Sequence, residues 1–214
     1  MITVYGFGKV TPLVEGITRD LRALWALEEC ELAYQVRGLD DFAGELHQPA
    51  YLSINPFGQV PAIEHDGLVI FESGAIVAYL ANQSEKLLPA NAAEQAHALQ
   101  WSFSALDTVE PAMTQIAAMD LFEPDAGWVK ARRPALVKMA NDRLAVLEQV
   151  FADKDYLLGD RFTYPDILMA AALCQIQHTD LLKAFPSVTA YRSRCLARSA
   201  WRRCLDAYHQ RLAA

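Results

Sequence analysis

The run "NPFGQVPAIEHDGLVIFES", residues 55–73, limits the fold of this chain more than any other stretch. Apolar residues alternate on both sides of Asp66-Gly67, and a two-residue Asp-Gly link between alternating runs specifies a tight β-hairpin. Pro61 has no N–H to give a sheet, which confines it to a strand's start, an edge or a turn. An acid and a hydroxyl, Glu72-Ser73, close the second run, and "SGAIVAYLANQ" then reads as a helix. The corner at Pro61 therefore calls for a backbone that ordinary residues do not supply.

The residues before the hairpin alternate between strand and helix. "ITVYGF" reads as a strand, and "AYQVRGL" as a second. Between them "TRDLRALWALEEC" has apolar residues at Leu21, Leu24, Trp25 and Leu27, the spacing of a helix. Thr18 is placed to cap it, with Asp20 in the acidic first turn. "FAGELHQPAYLSI" is a short, proline-interrupted helix or irregular segment. A strand–helix–strand order implies parallel pairing through a right-handed crossover, hence a small α/β layer over residues 1–85. After a polar linker at 86–91 no hairpin signal recurs. Residues 92–214 show helical spacing at Leu99, Phe103, Leu106, Met113 and Ile116, and again at Leu136, Ala140, Leu144, Leu147 and Phe151. Pro111 is expected to kink the first of these helices. The fold class is thus α/β plus all-α.

Charge divides the chain in the same place. Residues 1–90 carry 12 acidic and 5 basic side chains, whereas the remainder carries 14 of each. Such a step marks two units with different surfaces. The segment "YRSRCLARSAWRRC" is locally basic, but it matches no nucleic-acid motif and the net charge is −7. It reads as a solvated helix face, with no nucleic-acid partner. Cys30, Cys174, Cys195 and Cys204 form no CxxC pair, and the five histidines show no ligand spacing. Neither a disulfide framework nor a metal site is expected, and a reducing compartment is. No apolar run approaches the roughly 20 residues that span a bilayer. "MITVYGFGKV" lacks the basic start, apolar stretch and cleavage site of a signal peptide, so a cytoplasmic protein without membrane association is expected.

Three segments, in order and over essentially the full chain, resemble the glutathione transferases. "NPFGQVPAIEHDGLVIFESGAIVAYL" is close to that family's NPxGxVPxLxxDGxxLxESxAIxxYL pattern. "LRALWALEECELAYQ" looks like its first helix and second strand, and "LLGDRFTYPDILMA" is similar to its GxxFTxADxxxA signature, with Pro165 for the usual alanine. The resemblance is to a bacterial-type, serine- or threonine-like member. It implies an N-terminal thioredoxin-like domain followed by a C-terminal helical bundle, glutathione as co-substrate without a metal, and a homodimer.

The resemblance also implies roles for particular residues. The bond before Pro61 would be cis, turning the Val60 backbone outward to pair with the cysteinyl part of glutathione as an added strand. Ser73, at a helix N-terminus, suits the γ-glutamyl carboxylate, and Glu72 its ammonium. Gln59 would stand beside the glycyl carboxylate, with His47 and Gln48 in the segment that contacts the same end. The thiol must ionise near neutrality, which a nearby donor promotes. Thr18 falls at the usual serine position, with Arg19 adding positive charge, and Tyr5 at the end of the first strand is the second candidate. No cysteine occupies that region, which argues against the glutaredoxin-like branch. An apolar electrophile would lie between the domains, against Trp101, Met113, Trp128 and Tyr164, with Phe103, Met119 and Phe122 as further walls. Thr163 and Asp166 read as a capping box, a folding determinant. The function implied is conjugation of the glutathione thiolate to small apolar electrophiles, a detoxification chemistry. The alternatives are a glutathione-dependent isomerase or peroxidase on the same site, or a non-catalytic binding or regulatory protein.

Overall fold

The structure, a computed structural model, describes residues 1–213. They divide into two compact units, Met1–Leu88 together with the residues from Arg198 onward, and Pro89–Ala197. The first stretch of the first unit ends at Leu88. The last helix belongs with the first unit.

In the first unit β1 (Ile2–Phe7) is followed by α1 (Asp20–Cys30), β2 (Tyr34–Leu39), α2 (Pro49–Leu52), β3 (Ala62–His65), β4 (Leu68–Phe71) and α3 (Ser73–Ala81). The sheet order is β2-β1-β3-β4. β1 pairs with β2 in parallel, as the α1 crossover requires, and with β3 antiparallel. Asp66 and Gly67 have φ of 51° and 82°, so the Asp-Gly link is the hairpin turn with both residues left-handed.

The two sheet faces are covered differently. Ile2 and Val4 point towards α1, and Gly6 follows in the same alternation. A Cβ on Gly6 would lie 2.7 Å from Asp20 Oδ2, so only glycine lets α1 start this close to the sheet. On the opposite face Tyr5, Leu39, Leu46, Tyr51, Val60 and Ala62 form a separate cluster. Every residue from Asp20 to Leu27 is buried, charged Asp20 and Arg22 included, because α1 is enclosed by the sheet, α3 and α9 (Ser199–Leu212).

α9 gives the basic tail partners in the first unit while its arginines stay partly exposed. Arg198 makes a two-pronged contact with Glu29, at 2.6 and 2.8 Å. Arg203 donates to Glu28 Oε2 at 2.8 Å and to the Glu28 carbonyl at 2.9 Å. Trp201 packs on Trp25 with ring centroids 4.7 Å apart. The acidic surplus of the first unit is thus partly met by arginines that arrive from the far end of the sequence.

The second unit is helical: α4 (Ala92–Phe103), α5 (Glu110–Phe122), α6 (Val129–Val150), α7 (Tyr164–Cys174) and α8 (Pro186–Leu196). The interruption expected near Pro111 is a π-helical segment, Ser104–Val109, which delivers the proline into the first turn of α5, where no N–H is needed. Met113, Ile116, Leu136, Ala140, Leu144 and Leu147 are core residues, whereas Leu99 and Phe103 are exposed. The capping box forms: Thr163 N–H donates to Asp166 Oδ2 at 2.9 Å. Asp166 also accepts from Leu157 N–H at 2.9 Å and from the Tyr191 hydroxyl at 3.0 Å. Its carboxyl is fully buried, and burial pushes its pKa up to about 6 against those hydrogen bonds.

Candidate functional site

The pairing of β3 and β4 decides where the polar groups meet. Ala62 lies opposite both Tyr5 and Phe71. The turn before β3 and the helix after β4 therefore lie at the end of the sheet where β1 finishes. α1 opens at the same end, since the Phe7 N–H donates to Asp20 Oδ2 at 3.2 Å. Two helix N-termini and one proline turn share this edge.

Glu72 stands at φ 69°, a left-handed conformation costly for a side chain with a Cβ, and it swings the chain from β4 into α3. The first α3 bond runs from Ile76 N–H to Glu72 C=O at 2.9 Å, leaving the amides of Ser73, Gly74 and Ala75 without an intrahelical acceptor. Ser73 is buried and its Oγ accepts from Arg22 Nη1 at 3.1 Å. A guanidinium bound to the serine's lone pair leaves the serine's own proton to point elsewhere. Hydroxyl, amides, helix dipole and a buried cation together favour an anion at this point.

The Val60–Pro61 peptide bond is cis, as the resemblance implied. Val60 precedes β3 and stays outside its ladder. The turn is held from behind: the Gln59 carbonyl accepts from the Tyr51 hydroxyl at 2.6 Å and from Asn55 Nδ2 at 2.7 Å. Gly58, at φ 60°, lets His47 approach, since a Cβ there would meet His47 Nδ1 at 3.0 Å. His47 and Gln59 are both exposed and flank this turn.

At the opening of α1 the Thr18 carbonyl accepts from the Leu21 N–H at 3.3 Å. Thr18 is half-buried, and the helix cap falls on exposed Arg19, whose side chain makes no capping bond. The Thr18 hydroxyl, expected to cap the helix or to face a thiol, donates to the Tyr208 hydroxyl on α9 at 3.0 Å. Asp20 is fully buried and pairs with Arg211, also on α9, at 2.9 Å. That cation offsets a carboxylate which would otherwise oppose negative charge beside Thr18.

Tyr5, the second candidate, stands at this end of the sheet but on the face away from α1. Strand alternation turns it away from Gly6 and α1. Its hydroxyl donates to Glu64 Oε2 at 3.2 Å, and burial with the Glu64 carboxylate raises its pKa. Gln48 lies on that same side, lining with Tyr5, Arg37 and Tyr51 an open cavity of about 260 Å³. In the helical unit Trp101 is half-buried, Trp128 is 50% exposed, and Tyr164 is buried in the first turn of α7. Met113 is fully buried, which makes it a core residue and removes it from the expected wall.

Sequence reasoning missed Arg22, Asn55, Tyr51, Tyr208 and Arg211. A charged residue inside "LRALWAL" is the one local signal for Arg22, and Asn-Pro marks the turn that Asn55 braces. Nothing local points to Tyr208 or Arg211, about 190 residues from their partners.

Comparison with known proteins identifies the family. Residues 10–82 match the glutathione S-transferase N-terminal domain, and residues 109–199 match the glutathione S-transferase C-terminal domain. The chain belongs to the glutathione S-transferase family. A glutathione S-transferase of Silene vulgaris is 31% identical over 204 residues, covering 88% of this chain and 92% of its own. Glutathione transferase F7 of Populus trichocarpa superposes with a TM-score of 0.84 at 25% identity over 99% of both chains. A Burkholderia graminis glutathione transferase, solved with two glutathione molecules per subunit, has a TM-score of 0.84 at 28% identity, covering 96% of this chain and 88% of its own. The thioredoxin-like domain and the helical domain expected from sequence are thus those of a glutathione S-transferase.

Proposed function

We propose that this chain binds glutathione at the shared edge of its first unit and transfers the thiolate to a small apolar electrophile. The observation that carries the reading is the meeting of three complementary groups at one end of the sheet. Val60, beside cis-Pro61, offers backbone to the cysteinyl part. The α3 N-terminus, with Ser73 and Glu72, suits a group bearing both carboxylate and ammonium. His47 and Gln59 flank the turn for the glycyl end. The Thr18 hydroxyl and the amides that open α1 are the donors available to the thiolate, with Arg19 adjacent, which makes this a threonine-type relative of the serine-dependent members. Catalysis is then positioning plus stabilisation of the sulfur charge. Trp101 and Trp128, on the helical unit, are the proposed contacts for the electrophile.

Ser73→Ala removes a donor to a charged group and should weaken glutathione binding about 10- to 100-fold, or about 1.5–3 kcal/mol. Calorimetric titration with glutathione checks this, and unchanged affinity would remove the site assignment.

One observation favours a second, non-catalytic reading: the Thr18 hydroxyl is already engaged by the Tyr208 hydroxyl, 3.0 Å away. Turnover of glutathione with an activated aryl halide separates the two, since a binding protein would take up glutathione without forming thioether. The chain is further proposed to act in the cytoplasm, consistent with four free, buried cysteines, and as a homodimer. Exposed Leu99 and Phe103, one helical turn apart on α4, suit an apolar contact between copies. Equilibrium sedimentation should return twice the chain mass of 23.8 kDa, and a single-chain mass would reject the dimer.

A further inference from the structure

We propose that Tyr208, on the last helix, is a positioning residue for the thiolate and acts through Thr18. The inference rests on the glutathione site argued above and adds a residue outside both matched domain segments, which end at residue 199.

α9 presents Trp201, Cys204, Tyr208 and Arg211 along one stripe, and each meets α1. Trp201 packs on Trp25, and the Cys204 thiol donates to the Leu21 carbonyl at 3.7 Å. Tyr208 reaches Thr18, and Arg211 reaches Asp20. The phenol is thereby fixed behind the opening turn of α1, fully buried, with its oxygen 3.0 Å from Thr18 Oγ1.

Both hydroxyls can donate and accept, and their protons rotate to suit. Without a negative charge in front of Thr18, its proton goes to Tyr208. A thiolate at the α1 opening reverses that bond and adds a second: Tyr208 donates to Thr18 Oγ1, and Thr18 donates to sulfur. No covalent bond forms or breaks. Each hydrogen bond in such a chain polarises the next, so the second hydroxyl strengthens the first as a donor. Tyr208 suits this place because burial pushes its pKa up to about 12, which keeps the phenol protonated while glutathione ionises. Charged groups also surround the phenol. Asp20 pairs with Arg211, Glu15 faces His209 at 3.2 Å, and the Arg211 guanidinium stands 5.1 Å from the Tyr208 ring centroid.

The test is the ultraviolet thiolate absorbance of bound glutathione, titrated with pH in the wild type, Tyr208→Phe, Thr18→Val and the double variant. Tyr208→Phe should raise the bound thiol pKa by about 0.5, a roughly threefold loss of thiolate on the acid limb. The double variant should match Thr18→Val, because the phenol acts only through that hydroxyl. A pKa in Tyr208→Phe equal to or below the wild-type value overturns the proposal, as does a shift that persists in the Thr18→Val background. Should Tyr208→Phe not fold, Tyr208→3-fluorotyrosine keeps the shape and makes the phenol a stronger donor. It should lower the thiol pKa, and no change overturns the proposal equally. A wild type that shows no depressed thiol pKa sinks the transferase reading itself. Depression that ignores Tyr208 sinks this proposal alone.

Discussion

Thr18→Val should move the pKa of bound glutathione back towards the free thiol value of about 8.5. Turnover at neutral pH should fall about 100-fold, the usual cost of removing one donor to a developing negative charge. Valine keeps the branched shape of threonine and removes only the hydroxyl. A hydrogen bond to the thiolate favours the charged form and lowers its pKa, so losing it raises the pKa. The acid limb of the rate profile should therefore shift to higher pH, with glutathione affinity near the wild-type value. The substitution also leaves the buried Tyr208 hydroxyl without its partner, at a cost of about 1–2 kcal/mol in stability. Thermal unfolding run alongside separates that cost from catalysis. A pH profile identical to the wild type would assign the thiolate to the amides of α1 alone.

Asp166→Ala should destabilise the protein by about 4 kcal/mol, because it strands several buried donors at about 1–3 kcal/mol each. Those donors are the Leu157 and Thr163 N–H groups and the Tyr191 hydroxyl. The Tyr191 ring is stacked on Phe151, with centroids 3.7 Å apart, so the hydroxyl cannot easily swing to water. The pH dependence has a definite sign. The folded pKa of Asp166, about 6, lies above the unfolded value of about 3.9. Protonation therefore favours the folded state, and this contribution is complete below the unfolded pKa and lost as pH rises through the folded one. The stability gap between wild type and variant should widen as pH falls from 7 towards 4, measured by urea unfolding at each pH. A gap of under 1 kcal/mol at neutral pH would mean that the α7 cap is dispensable. The variant should leave the first unit's glutathione contacts untouched when it is folded.

Much of the fold was legible because it is written locally. The hairpin came from Asp66-Gly67 between alternating runs, the crossover from two strands around one helical pattern, and the α7 start from Thr163 and Asp166. The hairpin and the cap depend on residues within a few positions of one another, and the crossover on the order of three neighbouring elements. Leu99 and Phe103 show where this stops: helical spacing marks an apolar face but not whether another element of the same chain covers it. Tyr5 shows the same limit for the site. Its position at the end of β1 suited a thiol donor, yet strand alternation and the requirement for glycine at position 6 turn it to the other face.

The sequence by itself determined the α/β unit, the helical unit, the proline turn at Val60-Pro61 and the anion-favouring start of α3. Turn chemistry, periodicity and helix-terminal amides act over one or two turns of chain, so neighbouring residues suffice to specify them. Only the tertiary structure decided that Arg22 holds Ser73, that α9 joins the first unit, and that the Thr18 hydroxyl meets Tyr208. These contacts are selected by burial: a guanidinium, a carboxylate or a hydroxyl removed from water must find a partner wherever the packed chain brings one. For Thr18 and Asp20 that partner lies on the last helix, at a separation no sequence pattern encodes.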